Sequence, residues 1–198
     1  MTIFSKKTDQ SGRSMVEMLG VLAIIGVLSV GGISGYSKAM AKFKMTKAQD
    51  QITMLLMNIR TAYATSPNYA GLNSKIAIEY NLAPQEMAAS TADTGTLYGA
   101  FGGEVKVGTL SNSTNYFYIQ IKALGKEACR GLLTSDWGAD GLVKIVAAAS
   151  GVVPASGCTK VNAAKQTGTW CTADLPVALS EAGTVCNAET TDLTWVYY

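Results

Sequence analysis

The sequence predicts an α+β chain built on one long N-terminal helix, with a C-terminal region braced by disulfides. Three observations carry that expectation. An apolar run passes without a proline into an amphipathic stretch that ends at Pro67; strand-like runs separated by turns and short helices follow; and all four cysteines lie beyond residue 128. Helix first, then a mixture of strands and short helices, is the element order of α+β proteins.

The apolar run is RSMVEMLGVLAIIGVLSVGGI, Arg13 to Ile33. From Ser14 onward its only charge is Glu17, and as a helix it is just long enough to span ~30 Å of hydrocarbon. A carboxylate at mid-membrane costs roughly 2.5–3.5 kcal/mol on insertion scales and less near an end. Something must offset that cost. Cutting between Gly12 and Arg13 would create an α-amino group four residues before Glu17.

Two simpler readings fit less of the stretch. A secretory signal has a shorter apolar core with a small-residue cleavage site behind it, whereas this run continues into more helix. A plain membrane anchor has no use for Glu17. Basic residues flank the span on both sides, Lys6, Lys7 and Arg13 before it and Lys38, Lys42, Lys44 and Lys47 after it, so charge does not orient it.

Helical periodicity continues to about Ser66, where Pro67 stops it. Such a helix is ~80 Å long, longer than a small domain is wide, so its first half is expected to project. Gly31, Gly32 and Gly35 lie where it leaves the span, as bend points, as a G-x-x-x-G contact, or as tolerated small residues. Ala41, Met45, Ala48, Ile52, Leu55, Leu56, Ile59 and Tyr63 fall on one arc at the helical period, the face expected to carry the head domain. Tyr36, Met40 and Phe43, joined by Met54, form a second stripe opposite. It is assigned to contacts with neighbouring subunits; tyrosine at a lipid interface is the alternative.

After Pro67 a short helix is expected around Ile76 to Tyr80, with Pro84 ending it or starting another. Val105–Val107 and Tyr116–Ile121 read as strands, with turns at Gly102-Gly103 and Ser111–Asn115. Leu124–Leu133 reads as a helix bearing Cys129, Leu142–Val146 as a strand, Ser180 as the cap of a helix through Cys186, and Leu193–Tyr198 as the closing strand. Trp137, Trp170 and Trp195 are assigned to core or interface packing rather than to a sugar site.

Residues 1–66 hold eight Lys/Arg and three Asp/Glu, a net of +5, and residues 67–198 hold eight and eleven, a net of −3. The mildly acidic head has no electrostatic footprint for nucleic acid. Cys129, Cys158, Cys171 and Cys186 include no C-x-x-C pair, and the chain has no histidine, which disfavours a zinc site. An even count beyond a membrane reads as two disulfides in an oxidising compartment, with three pairings possible. Without histidine there is no imidazole base, and no G-x-S-x-G, S-x-x-K or phosphate-binding loop occurs, so no enzyme, catalytic residue, cofactor or metal is assigned. Asp136, Asp140 and Gly141 read as a turn rather than a calcium loop, and Asn112-Ser113-Thr114 as a turn rather than a glycan acceptor.

Gly12, the glutamate at the fifth position of the cut chain and VLAIIGVLSVGG together resemble the leader and N-terminal helix of type IV pilins. In the head, LAP-x-EM, GG-x-V-x-V, the EAC-x-x-L helix around Cys129 and a last strand after the final cysteine resemble type IVb pilins, including thin-pilus subunits. The family's residue after the cut is usually Phe or Met; here it is Arg13. The resemblance implies the type IV pilin fold, a long helix packed on an antiparallel sheet. It also implies Cys129–Cys186 enclosing Cys158–Cys171.

The domain organisation expected is a cleaved leader 1–12, a membrane and filament-core helix 13–35, its amphipathic half 36–66 and a globular head 67–198. By resemblance, the precursor is held in inner-membrane lipid with its head in the periplasm and processed at Gly12–Arg13 by a prepilin peptidase. Pilus assembly machinery then polymerises it with identical subunits into an extracellular filament serving adhesion, motility or conjugation-type contacts. Glu17 pairs there with a neighbour's terminal amine. A minor pilin or type II secretion pseudopilin, and a non-polymerising single-pass protein with a binding head, are the alternatives.

Overall fold

The computed structural model describes residues 15–88, 95–111, 113–138, 141–148, 169–172 and 176–198, with 169–172 as backbone. Helix α1 runs Met15–Ala62 and stays helical through Gly31, Gly32 and Gly35. It ends four residues short of Ser66, because Tyr63 to Thr65 already turn. Two compact units divide at residues 41 and 42.

In the second unit, α2 (Ser74–Glu79) starts at Asn73, whose side chain accepts a hydrogen bond from Ile76 N at 2.9 Å. Pro84 opens a single 3₁₀ turn, Gln85–Met87. Strands β1 (Leu97–Tyr98), β2 (Glu104–Leu110) and β3 (Ser113–Gly125) lead into α3 (Lys126–Leu133). Then come β4 (Leu142–Ala148), β5 (Thr169–Thr172), α4 (Leu179–Val185) and β6 (Thr190–Tyr197). The six strands form one sheet in the order β1-β2-β3-β6-β4-β5, and every neighbouring pair is antiparallel. The last strand in sequence thus enters the middle of the sheet.

Register explains the core. Val107 opposes Ile119, Ile119 opposes Trp195 and Trp195 opposes Ile145, a buried row across four strands. Val105, Ile121, Leu193 and Ala147 form the next row. Because side chains alternate along a strand, both rows share one face of the sheet. They join Ala48, Ile52, Leu55, Leu56 and Ile59 of α1 in a single cluster. Burying each of the larger side chains among them contributes about 1.5–3 kcal/mol, so this helix–sheet contact dominates the unit's stability.

Several expected boundaries need correction. Leu124 and Gly125 belong to β3 rather than to the following helix, since the strand bulges between Ile121 and Leu124 and pairs again with Thr191 and Thr190. Ala123 adopts a φ of +56° there, held by its N–H donating to the buried Asp192 carboxylate at 2.8 Å. Ser180 does not cap α4; the cap position is Ala178, without a side-chain bond. The turn expected over Ser111–Asn115 is shorter, because β3 already begins at Ser113. Ala41 is exposed rather than part of the buried arc, and Gln51 takes a buried place on it.

Gly103 shows how tightly β2 and β3 meet: a methyl group there would overlap the Lys122 carbonyl oxygen. That atom belongs to the backbone and cannot swing aside. Gly103→Ala should therefore cost about 1–3 kcal/mol, read as a lower denaturation midpoint.

Tyr197 leads to the opposite expectation. Its ring stacks on Phe117 with centroids 5.5 Å apart, yet its buried hydroxyl meets no hydrogen-bond partner among the described residues. Burial accordingly pushes its phenol well above the usual range. Removing the oxygen as Tyr197→Phe should be neutral or stabilising by up to about 1 kcal/mol, checked by urea denaturation.

Candidate assembly site

Residues placed by the sequence at the assembly site lie on α1. From Met15 to Ile33 its large apolar side chains are between 50% and 84% exposed. Soluble monomers rarely leave so much contiguous apolar surface uncovered. Met15–Ala62 is also long and apolar enough, by length and composition, to cross a membrane. Glu17 is exposed in the first turn of this helix, the end at which the helix dipole favours an acid.

Tyr36 and Phe43 are exposed at 66% and 63%, and Met40 is half-buried. Helical spacing puts the three on one face, and Met54 continues it. Met57, 60% exposed beside this stripe, was not anticipated. Gly12 and Arg13 lie outside the described residues.

Cys129 on α3 and Cys186 at the end of α4 form a disulfide, with Cα atoms 5.8 Å apart. Both are fully buried beside Leu132, Leu133 and Ala182. Cys158 lies outside the described residues, and of Cys171 only its backbone in β5 is described. Trp195 is buried at the centre of the sheet and Trp137 meets it edge-on at 4.9 Å, while the Trp170 side chain is not among those described. Asp136 accepts from Gly138 N at 2.9 Å, an ordinary Asx turn, and Asp140 lies outside the described residues.

Gln51 is the residue that sequence reasoning passed over. Its amide nitrogen donates to Glu86 at 2.7 Å and its oxygen accepts from Ala100 N at 2.9 Å, so one side chain joins α1 to two loops. The available signal was a lone polar residue between Ala48 and Ile52 on an apolar arc. Lys47 completes the group with an ion pair to Glu86 at 3.0 Å.

Those bonds from Lys47 and then Gln51 hold the Glu86 carboxyl below the usual carboxylate range. A depressed folded-state value stabilises the fold above the unfolded pKa and is lost as pH falls through the folded one. Glu86→Gln should therefore lower the melting midpoint near neutrality, and the gap from wild type should close in acid below that depressed value.

The family described as PilS N terminal matches residues 42–197. The chain belongs to the PilS family of type IV pilins. The major structural subunit of the bundle-forming pilus from Escherichia coli O127:H6 is 29% identical over 137 residues, 69% of each chain. The toxin coregulated pilin of Vibrio cholerae O1 El Tor is 28% identical, over 66% of this chain and 59% of its own. Two solved pilins share the fold. TcpA, a type IV pilin from V. cholerae El Tor, superposes with a TM-score of 0.54 at 16% identity, covering 78% of this chain and 99% of its own. The type IVb pilin of Salmonella typhi gives 0.52 at 17%, covering 78% and 97%. In this pilin, then, the helix-on-sheet head tied by Cys129–Cys186 has a fold shared with type IVb pilins.

Proposed function

We propose that this pilin is a structural subunit of a type IVb pilus that polymerises through α1 with identical copies. The observation that carries the reading is the exposed apolar segment of α1 with its one acid, Glu17, on a chain of this family. Taking that helix out of lipid requires another apolar environment, and a bundle of identical helices provides one. In this reading residues 1–12 are a leader removed by a prepilin peptidase, 13–35 form the filament core, 36–66 continue the helix and 67–198 form the head. The precursor waits in inner-membrane lipid with its head in the periplasm until the assembly machinery extracts it. The new α-amine of Arg13 then pairs with Glu17 of a neighbour, which neutralises the buried charge and fixes axial register. Tyr36, Met40 and Phe43 pack against neighbouring subunits. Cys158 and Cys171 form a second disulfide, and the subunit performs no catalysis.

The test is to shear surface filaments from producing cells and weigh the chain they contain. An abundant polypeptide beginning at Arg13 is the expected result. Filaments lacking the chain, or a chain that keeps Met1 to Gly12, would overturn the reading.

A further inference from the structure

At the C-terminal end of α1 the head carries a cavity of about 300 Å³, lined by none of the residues assigned to assembly. Its walls include Arg60, Tyr63, Asn68, Tyr69, Asn115 and Tyr198. A second cavity of about 330 Å³ adjoins it, sharing Tyr63 and Ser66 and continuing to Ile76 and Tyr80. Four tyrosines line the two between them, Tyr63, Tyr69, Tyr80 and Tyr198, and each is at the lower end of small-ligand sites in size.

The walls are fixed in advance. Tyr69 donates its backbone N–H to Thr114 O at 2.8 Å, and its ring meets Phe117 at 4.5 Å and Tyr63 at 5.5 Å. Asn68 accepts from Ala70 N at 3.0 Å, and Leu72 N donates to Tyr69 O at 3.1 Å, so the loop holds its shape through local bonds. On the other side Tyr198 N donates to Gly141 O at 2.8 Å, and its ring lies 5.6 Å from Tyr116. A preformed wall spares a ligand the cost of ordering it.

The chemistry is specific. Tyrosine rings present flat apolar faces with a hydroxyl at the rim, and the two asparagines offer donors and acceptors together. Arg60, its Nη2 donating to Tyr198 O at 3.5 Å and its guanidinium 5.6 Å from the Tyr197 ring centroid, adds a permanent positive charge with further N–H donors, and no acidic side chain lines the cavity among the described residues. Flat apolar faces ringed by amides suit a pyranose, whose C–H faces stack while its hydroxyls bond. A guanidinium at the wall suits a sugar carboxylate.

We propose that this cleft binds a sugar ring of a glycan, with Arg60 favouring an acidic sugar. The proposal is independent of filament formation, because its test uses the full chain in detergent micelles. Saturation-transfer NMR with N-acetylneuraminic acid and with N-acetylglucosamine, each at about 20 mM to detect millimolar binding, supplies the readout. Transfer should be seen from the acidic sugar and be the stronger of the two. Tyr198→Ala should weaken it about fivefold through loss of one stacking face. Asn115→Asp, which puts a negative charge on the exposed rim, should abolish transfer from the acidic sugar and spare the neutral one. Unchanged melting midpoints confirm that both variants are folded. The proposal is overturned if neither sugar gives transfer, or if both variants leave it unchanged. Stronger transfer from N-acetylglucosamine would overturn the preference assigned to Arg60.

Discussion

Glu17→Ala is expected to leave the pilin in the membrane and largely out of filaments. The reasoning compares two environments for one carboxylate. In lipid the acid is a burden, at most about 2.5–3.5 kcal/mol at mid-membrane and less at its position in the first turn of α1. In the proposed filament a neighbour's α-amine offsets that burden. Extraction from lipid is therefore favoured by the difference, and alanine erases it from both sides. A loss of about 1.4–2.8 kcal/mol per subunit lowers the filament-to-membrane ratio roughly tenfold to a hundredfold. Sheared filaments quantified against membrane-held chain, by immunoblot of the two fractions, give the ratio directly. The rival role for Glu17 is a favourable interaction with the helix dipole, about 0.3–1 kcal/mol. That role would lower helix stability slightly and leave the ratio near wild type. Glu17→Gln separates the two further, since it keeps the side chain's shape and removes only the charge.

How far the sequence exposed this architecture depends on how local each signal is. The arc from Ala48 to Ile59 was legible because helical period alone sorts the buried face, and Tyr116–Ile121 because β-branched and aromatic residues crowd together. β1 and β5 were not, being two and four residues long and defined by their partners rather than by composition. The α3 boundary failed for a related reason. Leu124 and Gly125 look like a helix start, but the bulge at Ala123 and the buried Asp192, 69 residues away in sequence, draw them into the sheet. Ala41 shows the limit of periodicity itself: it keeps the right angle on the helix yet is exposed. Of the residues proposed for assembly, Glu17 stood out because a lone charge in an apolar run demands a partner. Gln51 did not, because only the fold brings Glu86 and Ala100 to it.

Replacing both Cys129 and Cys186 with alanine should cost the head about 4 kcal/mol. The disulfide joins residues 57 apart, and closing a loop of that length removes about 14 cal/mol/K of unfolded-chain entropy in the loop-closure model. The two cysteines also sit in the core with no exposed surface, so the bond ties α3 to α4 at the point where the chain turns into β6. Because β6 lies between β3 and β4, loosening its entry weakens the centre of the sheet rather than an edge. A domain of this size loses about 2–4 °C of melting temperature per kcal/mol, so the midpoint should fall by roughly 8–16 °C. Replacing both residues avoids a leftover thiol, and alanine suits sites that are already apolar. Thermal unfolding of wild type and double variant, side by side without reductant, measures the difference. A drop of only 1–2 °C would mean that the helix–sheet core holds α4 without help. The sugar cleft proposed around Tyr69 and Tyr198 supplies an internal control, for its walls stand on α1, the loop after it and the residue that follows β6. Binding there should survive in the double variant below its lowered midpoint, whereas the fold as a whole becomes easier to open.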